Sequence, residues 1–89
     1  MPNRSWRDII AEMLEIAKEL VGKTMLMYKA TLSFDSLRIY LELLLTKQLL
    51  AYNEKTRKYN TTKKGLEYLR LNDSMNNIVG RGDISALDA

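Results

Sequence analysis

Residues 32–50, LSFDSLRIYLELLLTKQLL, constrain the fold of this chain more than any other stretch. Leu37, Tyr40, Leu41, Leu44 and Leu45 recur at the spacing of one face of an α-helix. Ile39 and Leu43 form a second, narrower stripe, and Asp35, Ser36, Arg38 and Glu42 lie largely away from the main one. Ser33 suits an N-cap, because its hydroxyl can accept from the unpaired amides of the first turn. Asp35 falls where a carboxylate complements the positive end of the helix dipole. The segment therefore predicts a helix with an apolar back and a short polar front near its N-terminus. Alone, that pattern also describes an ordinary amphipathic core helix, so the flanking segments decide its role.

Upstream, residues 4–21 read as a first helix with a wide apolar stripe of Ile9, Ile10, Met13, Leu14, Ile16, Ala17, Leu20 and Val21. A stripe that wide indicates burial on a core. Ser5 and Asp8 have the spacing of a capping box. Gly22 is expected to end this helix in the left-handed conformation. Thr24 is then expected to cap a short second helix over 25–30, with Met27 and Tyr28 at or near the core. Residues 31–33 make the turn into the next helix. A short helix, a tight turn and a longer helix with a polar N-terminal front form a helix-turn-helix unit, in which that front enters the DNA major groove.

Downstream the period changes. Leu50 and Tyr52 alternate with Ala51 and Asn53, and Tyr59 and Thr61 alternate with Lys58 and Asn60, around the polar residues 54–57. Two alternating runs around a polar connection predict a β-hairpin. With no Asn-Gly or Asp-Gly pair, a longer, mobile loop is expected. Thr62 is placed to cap a last helix carrying Leu66, Tyr68, Leu69 and Leu71. Tyr68, Leu71, Met75 and Ile78 continue at spacings of three, four and three, an apolar edge suited to pairing with a second copy. Residues 80–89, GRGDISALDA, have almost no apolar mass and read as a disordered tail. The RGD triplet within them is too short to carry an adhesion role.

Composition narrows the chemistry. Eighty-nine residues suit one domain, placed at 4–79. Cysteine and histidine are both absent, which removes disulfides, zinc-finger chemistry, thiol nucleophiles and imidazole bases. No metal site, cofactor or small-molecule ligand is indicated, and no nucleophile, base and oxyanion site assemble, so an enzyme is not expected. No apolar run reaches the roughly 20 residues of a membrane span and no signal-peptide core opens the chain; the expected location is cytoplasmic. The net charge of +3 is unevenly spread. Lys55, Arg57, Lys58, Lys63 and Lys64 cluster against one acid, Glu54, whereas 71–89 carry Arg81 against Asp73, Asp83 and Asp88. A local basic cluster suits a phosphate-rich partner, and it falls on the hairpin or just beyond it, where a wing touches the DNA backbone.

Thr24, Met27, Tyr28, Ala30, Leu32 and Ser33 match a T-x-x-M-Y-x-A-x-L-S pattern. Leu37, Tyr40, Leu41 and Leu44 match the L-x-x-Y-L-x-x-L that follows it, and Tyr59, Thr62, Lys64 and Gly65 match Y-x-x-T-x-K-G. With these motifs the sequence resembles the archaeal ArnR-like winged helix-turn-helix domains. It is also similar to small archaeal DNA-binding proteins that join a winged helix to a dimer-forming C-terminal helix. The resemblance spans residues 4–71. It implies DNA binding, in transcriptional regulation or as an architectural chromatin protein, and a homodimer paired through the last helix. The chain departs from the family where Met25 stands in place of a basic residue and Gln48 in place of glycine, and its final helix looks shorter than in the coiled-coil members.

The expected fold is α+β, a winged helix with three helices, a two-stranded wing and a fourth helix. The expected partner is double-stranded DNA. Ser36, Arg38, Ile39 and Glu42 are candidate groove residues, with Arg38 suited to guanine edges or phosphate oxygens. Lys55, Arg57 and Lys58 are candidates for wing phosphates, Lys63 and Lys64 for adjoining ones, and the amides at Ser33 to Ser36 for a further phosphate. Tyr68, Leu71, Met75 and Ile78 are the candidate dimer contact. Asp35 and Glu42 on the front keep a second possibility open, a winged helix that serves as a protein–protein adaptor, because acids there oppose phosphates.

Overall fold

The computed structural model describes the backbone of residues 4–79 and the side chains of residues 4–73. In chain order it forms α1 (Trp6–Ile16), β1 (Val21–Gly22), α2 (Lys23–Ala30), α3 (Phe34–Thr46), β2 (Leu50–Asn53), β3 (Lys58–Thr61) and α4 (Lys63–Val79). The strands make one antiparallel sheet in the order β1-β3-β2. The helices close around a single core of Ile10, Met13, Leu14 and Ala17, Leu26 and Ala30, Leu37, Leu41 and Leu44, with Val21, Leu50 and Leu69 from the sheet and α4. The predicted back of α3 is thus the face it buries. The architecture is the expected α+β winged helix, with a third strand added to the two-stranded wing.

That strand explains why α1 is shorter than its apolar stripe suggested. Val21 pairs with Tyr59 and Gly22 with Lys58, so the chain must leave the helix early to reach β3. The end of β3 then replaces the lost helical partners. Thr61 N–H donates to Ala17 O (2.8 Å), the Thr61 hydroxyl to Leu14 O (2.6 Å), and the Asn60 amide to Ala17 O (2.8 Å) and Lys18 O (3.2 Å). Orphan carbonyls at a helix end need such donors. Leu20, counted into the stripe, is exposed.

The expected start of α2 also changes. Gly22 is extended, with φ −78°, and serves as N-cap without a side-chain bond. It is therefore neither left-handed nor a helix terminator, and Thr24 lies inside the helix. Tyr28 is 79% exposed, against the expectation that it joins the core, while Met27 packs on the core half-buried.

The C-terminal ends of α2 and α3 are built as the same device. At the turn from α2, Leu32 N–H donates to Met27 O (3.0 Å) and Thr31 N–H to Tyr28 O (3.2 Å), with Thr31 at φ 56°. At the exit of α3, Leu49 N–H donates to Leu44 O (2.8 Å) and Gln48 N–H to Leu45 O (3.0 Å), with Gln48 at φ 62°. These paired bonds are Schellman motifs, which favour glycine at the left-handed position; here that position holds Thr31 and Gln48. At the first of these turns, Arg4 donates to Ala30 O (2.7 Å) and Thr31 O (2.9 Å) and pairs with Glu12. The N-terminal segment thereby holds the angle between α2 and α3.

Of the N-caps predicted from sequence, Ser5, Ser33 and Thr62 form, and Thr24 does not. Asp8 N–H donates to the Ser5 hydroxyl (3.1 Å) and Ser5 N–H returns to the Asp8 carboxylate (3.2 Å). Ser36 N–H donates to Ser33 Oγ (3.1 Å) and Gly65 N–H to Thr62 Oγ1 (3.0 Å).

Candidate functional site

The front of α3 is what its buried back leaves over. Arg38 and Glu42 are exposed, Ile39 is 63% exposed, and Ser36 is half-buried one turn from the N-terminus. Ser33 is also exposed, but its hydroxyl is engaged in capping the helix. The four groove candidates thus lie on one helix, although Ser36 sits partly toward the domain. Asp35 shares the front, and Ile39, Glu42, Leu43 and Thr46 line a shallow concavity toward its C-terminal half.

The wing grows directly out of α3 through the Gln48 turn, and β2 packs against that helix. Its tip is the four-residue connection 54–57, longer than a two-residue turn, as expected. It is fastened rather than loose. Asn53 Oδ1 accepts from Lys55 N–H (2.9 Å) and Thr56 N–H (3.1 Å), and Arg57 N–H donates to Asn53 O (2.7 Å). Asparagine thus supplies, through its side chain, the turn hydrogen bonds that an Asn-Gly pair makes by backbone alone. Arg57 closes the loop at φ 56°. Behind the tip, Tyr52 and Tyr59 face each other across the strands with ring centroids 4.8 Å apart, a pairing that stiffens the hairpin. Burial, and secondarily Tyr52, raises the pKa of Tyr59 above the usual tyrosine value.

Lys55, Arg57, Lys58 and Lys63 are all exposed. Among the described residues the ion pairs are Arg4–Glu12, Lys18–Glu15 and Arg70–Glu67, so none of these four cations is neutralised by a carboxylate. Lys64 differs. Its Nζ donates to Lys47 O (2.9 Å), where an ammonium satisfies a carbonyl at the negative end of α3. Its ammonium serves to close the C-terminal end of α3.

Two lysines join this surface that the sequence did not single out. Lys23 Nζ lies 4.9 Å from the centre of the Phe34 ring, spanning the N-terminal ends of α2 and α3. Lys29 lines a shallow groove with Lys58. Each is isolated in the chain, so no run of charge marked it.

The proposed dimer edge divides. Tyr68 packs half-buried against the core, whereas Leu71 is 51% exposed, next to the exposed Trp6 across a groove. Met75 and Ile78 lie beyond the described side chains.

The sequence profile of winged helix-turn-helix domains matches residues 3–79. The chain belongs to the winged helix-turn-helix family. Its fold is also similar to the crystal structure of Sso10a-2, a DNA-binding protein from Sulfolobus solfataricus, with a TM-score of 0.70 over 94% of this chain and 96% of that one, at 20% identity. No curated protein matches the sequence. Within this winged helix domain, no group of three or more acidic residues is placed to hold a metal ion among the described residues. No helix among them is long and apolar enough to cross a membrane.

Proposed function

We propose that this winged helix protein binds double-stranded DNA, with the front of α3 in the major groove and the wing on the phosphate backbone, and that it acts in transcriptional regulation. The observation that carries the reading is the wing. Three exposed cations, Lys55, Arg57 and Lys58, stand on a fastened hairpin with no carboxylate paired to them among the described residues. Unpaired cations on a stiff loop are positioned to displace counterions from phosphates, which dominates affinity for DNA. Lys63 adjoins them. Sso10a-2, alike in fold, is itself described as a DNA-binding protein. Arg38, Ile39 and Glu42 offer a guanidinium, an apolar side chain and a carboxylate to base edges, which favours sequence reading over purely architectural binding. The acids on the front favour the adaptor alternative, in which this face meets a protein.

Binding measured against salt separates the two. The native chain should bind duplex DNA with a steep loss of affinity as salt rises. The Lys55→Ala/Arg57→Ala/Lys58→Ala variant should bind all duplexes more weakly and about equally so. Its salt slope should be shallower by close to one unit per phosphate contact removed. Unchanged binding in that variant would take the wing out of the interface, and absence of duplex binding at low salt would favour the adaptor.

A further inference from the structure

The front of α3 is poorly made for phosphates. Counting 100° per residue, its centre is occupied by Asp35, Ile39, Glu42 and Thr46, with Arg38 at one flank and Leu43 at the other. Two of these six are acids and one is a cation. The more exposed of the two apolar side chains among them, Ile39, is 63% accessible, and Leu43, one turn further on, is 37% accessible. Together with Glu42 and Thr46 they line one shallow concavity. An apolar pair held in water beside two carboxylates gains nothing from a phosphodiester strand. A duplex offers an apolar group in one place, the C5-methyl of thymine at the floor of the major groove, and it offers the cytosine amino group as a donor to a carboxylate. The exposed cations Lys55, Arg57 and Lys58 stand on the wing and Lys23 and Lys29 on α2, so the apolar pair and these cations occupy different elements.

The geometry points to Ile39, seconded by Leu43, as a reader of thymine methyl groups, with Glu42 accepting from cytosine N4 in an adjacent pair. This rests on the DNA-binding reading above and adds to it what the helix recognises. The contact is a methyl packed against a methyl-bearing side chain, so removing one contacted methyl should weaken binding about fourfold, the effect of exposing one such group.

The test uses the native chain, Ile39→Ala and Ile39→Ala/Leu43→Ala, titrated by fluorescence anisotropy at fixed salt against two pairs of duplexes of about 20 base pairs, two helical turns. One pair is alternating A·T and its A·U counterpart, which lacks only the methyl. The other is alternating G·C and its 5-methylcytosine counterpart, which gains it. For the native chain the A·T duplex should bind more tightly than A·U, and methylated G·C more tightly than plain G·C. Ile39→Ala should shrink both differences, whatever its effect on the affinity for A·U itself. The melting temperature should stay unchanged, since Ile39 is largely outside the core. Equal native binding to A·T and A·U would overturn methyl reading while leaving DNA binding intact. So would a methyl preference that survives undiminished in the double variant. Failure of the native chain to bind any duplex at low salt would overturn both proposals and assign the α3 face to a protein partner.

Discussion

Gly65 is a position where one added carbon cannot be accommodated. A Cβ there would lie 2.4 Å from Leu49 O and 2.6 Å from Thr61 Cγ2. Leu49 O cannot retreat cheaply, because it accepts from Thr62 N–H (3.0 Å) while the Thr62 hydroxyl donates to the neighbouring Gln48 O (2.7 Å), and Thr61 is anchored to α1. Gly65→Ala should therefore destabilise the protein by about 3 kcal/mol or more, at the upper end of overpacking costs, as measured by urea unfolding. Gln48 presents the opposite case. Its φ of 62° costs an L-residue roughly 1–2 kcal/mol, partly offset because glycine frees the unfolded chain by about 0.4–1 kcal/mol. Gln48→Gly should then raise stability by about 0.5–1 kcal/mol, seen as a higher urea midpoint at unchanged slope; a lower midpoint would mean that the Gln48 side chain supports the turn. At this scale, legibility in the sequence follows distance along the chain. The caps Ser5, Ser33 and Thr62 act within three residues of themselves and were readable. Arg4 acts on carbonyls 26 and 27 residues away, and Lys64 on one 17 residues away. Nothing local marks Arg4 as a brace or separates Lys64 from its exposed neighbour Lys63.

At the scale of elements, α3 was legible nearly to its ends, because thirteen residues allow the helical period to repeat more than three times. The strand Val21–Gly22 has two residues and no period at all, so its apolar member was absorbed into the stripe of α1. The candidate site was legible to the same extent. The front of α3 and the tip of the wing follow from local pattern, whereas Lys23 and Lys29 join them only through folding. The hairpin carries a titration that tests its packing. Burial of Tyr59 against the core, with Tyr52 as its cross-strand neighbour, favours the neutral phenol and raises its pKa above the ordinary value near 10. The unfolded chain then loses that proton first. The stabilisation is fully present below about pH 10 and is lost as pH rises through the folded-state pKa. Urea stability of the native chain should therefore fall above pH 10 more steeply than that of Tyr59→Phe, which has no such proton to lose. Parallel pH profiles for the two proteins would show that the ring is as well solvated folded as unfolded.

For the whole molecule, the distribution of ion pairs and apolar surface suggests two working sides. The ion pairs among the described residues involve the N-terminal segment, the end of α1 and α4, whereas the wing carries Lys55, Arg57 and Lys58 with no carboxylate paired to them. A second surface, shared by α1 and α4, carries exposed Trp6 and Leu71 around a groove with Tyr68. α4 continues to Val79, and among the described side chains, which end at Asp73, its last core member is Leu69; the sequence keeps apolar residues at 71, 75 and 78, at the three- and four-residue spacing that a helix stacks on one stripe. A helix has little cause to run so far beyond its own core unless it meets another surface, and a second copy related by a two-fold axis supplies a matching one. We propose such a homodimer. It would present two copies of α3, so a duplex with two half-sites should bind more tightly than one with a single half-site. Sedimentation of the 89-residue chain should give twice its 10.3 kDa mass, and a version ending at Arg70, which keeps Gly65, Tyr68 and Leu69, should sediment as a folded monomer by circular dichroism. A monomeric mass for the full chain, at concentrations on the order of tens of micromolar, would overturn the dimer. A dimer that survives the truncation would move the contact from the end of α4 to the groove between Trp6 and Tyr68.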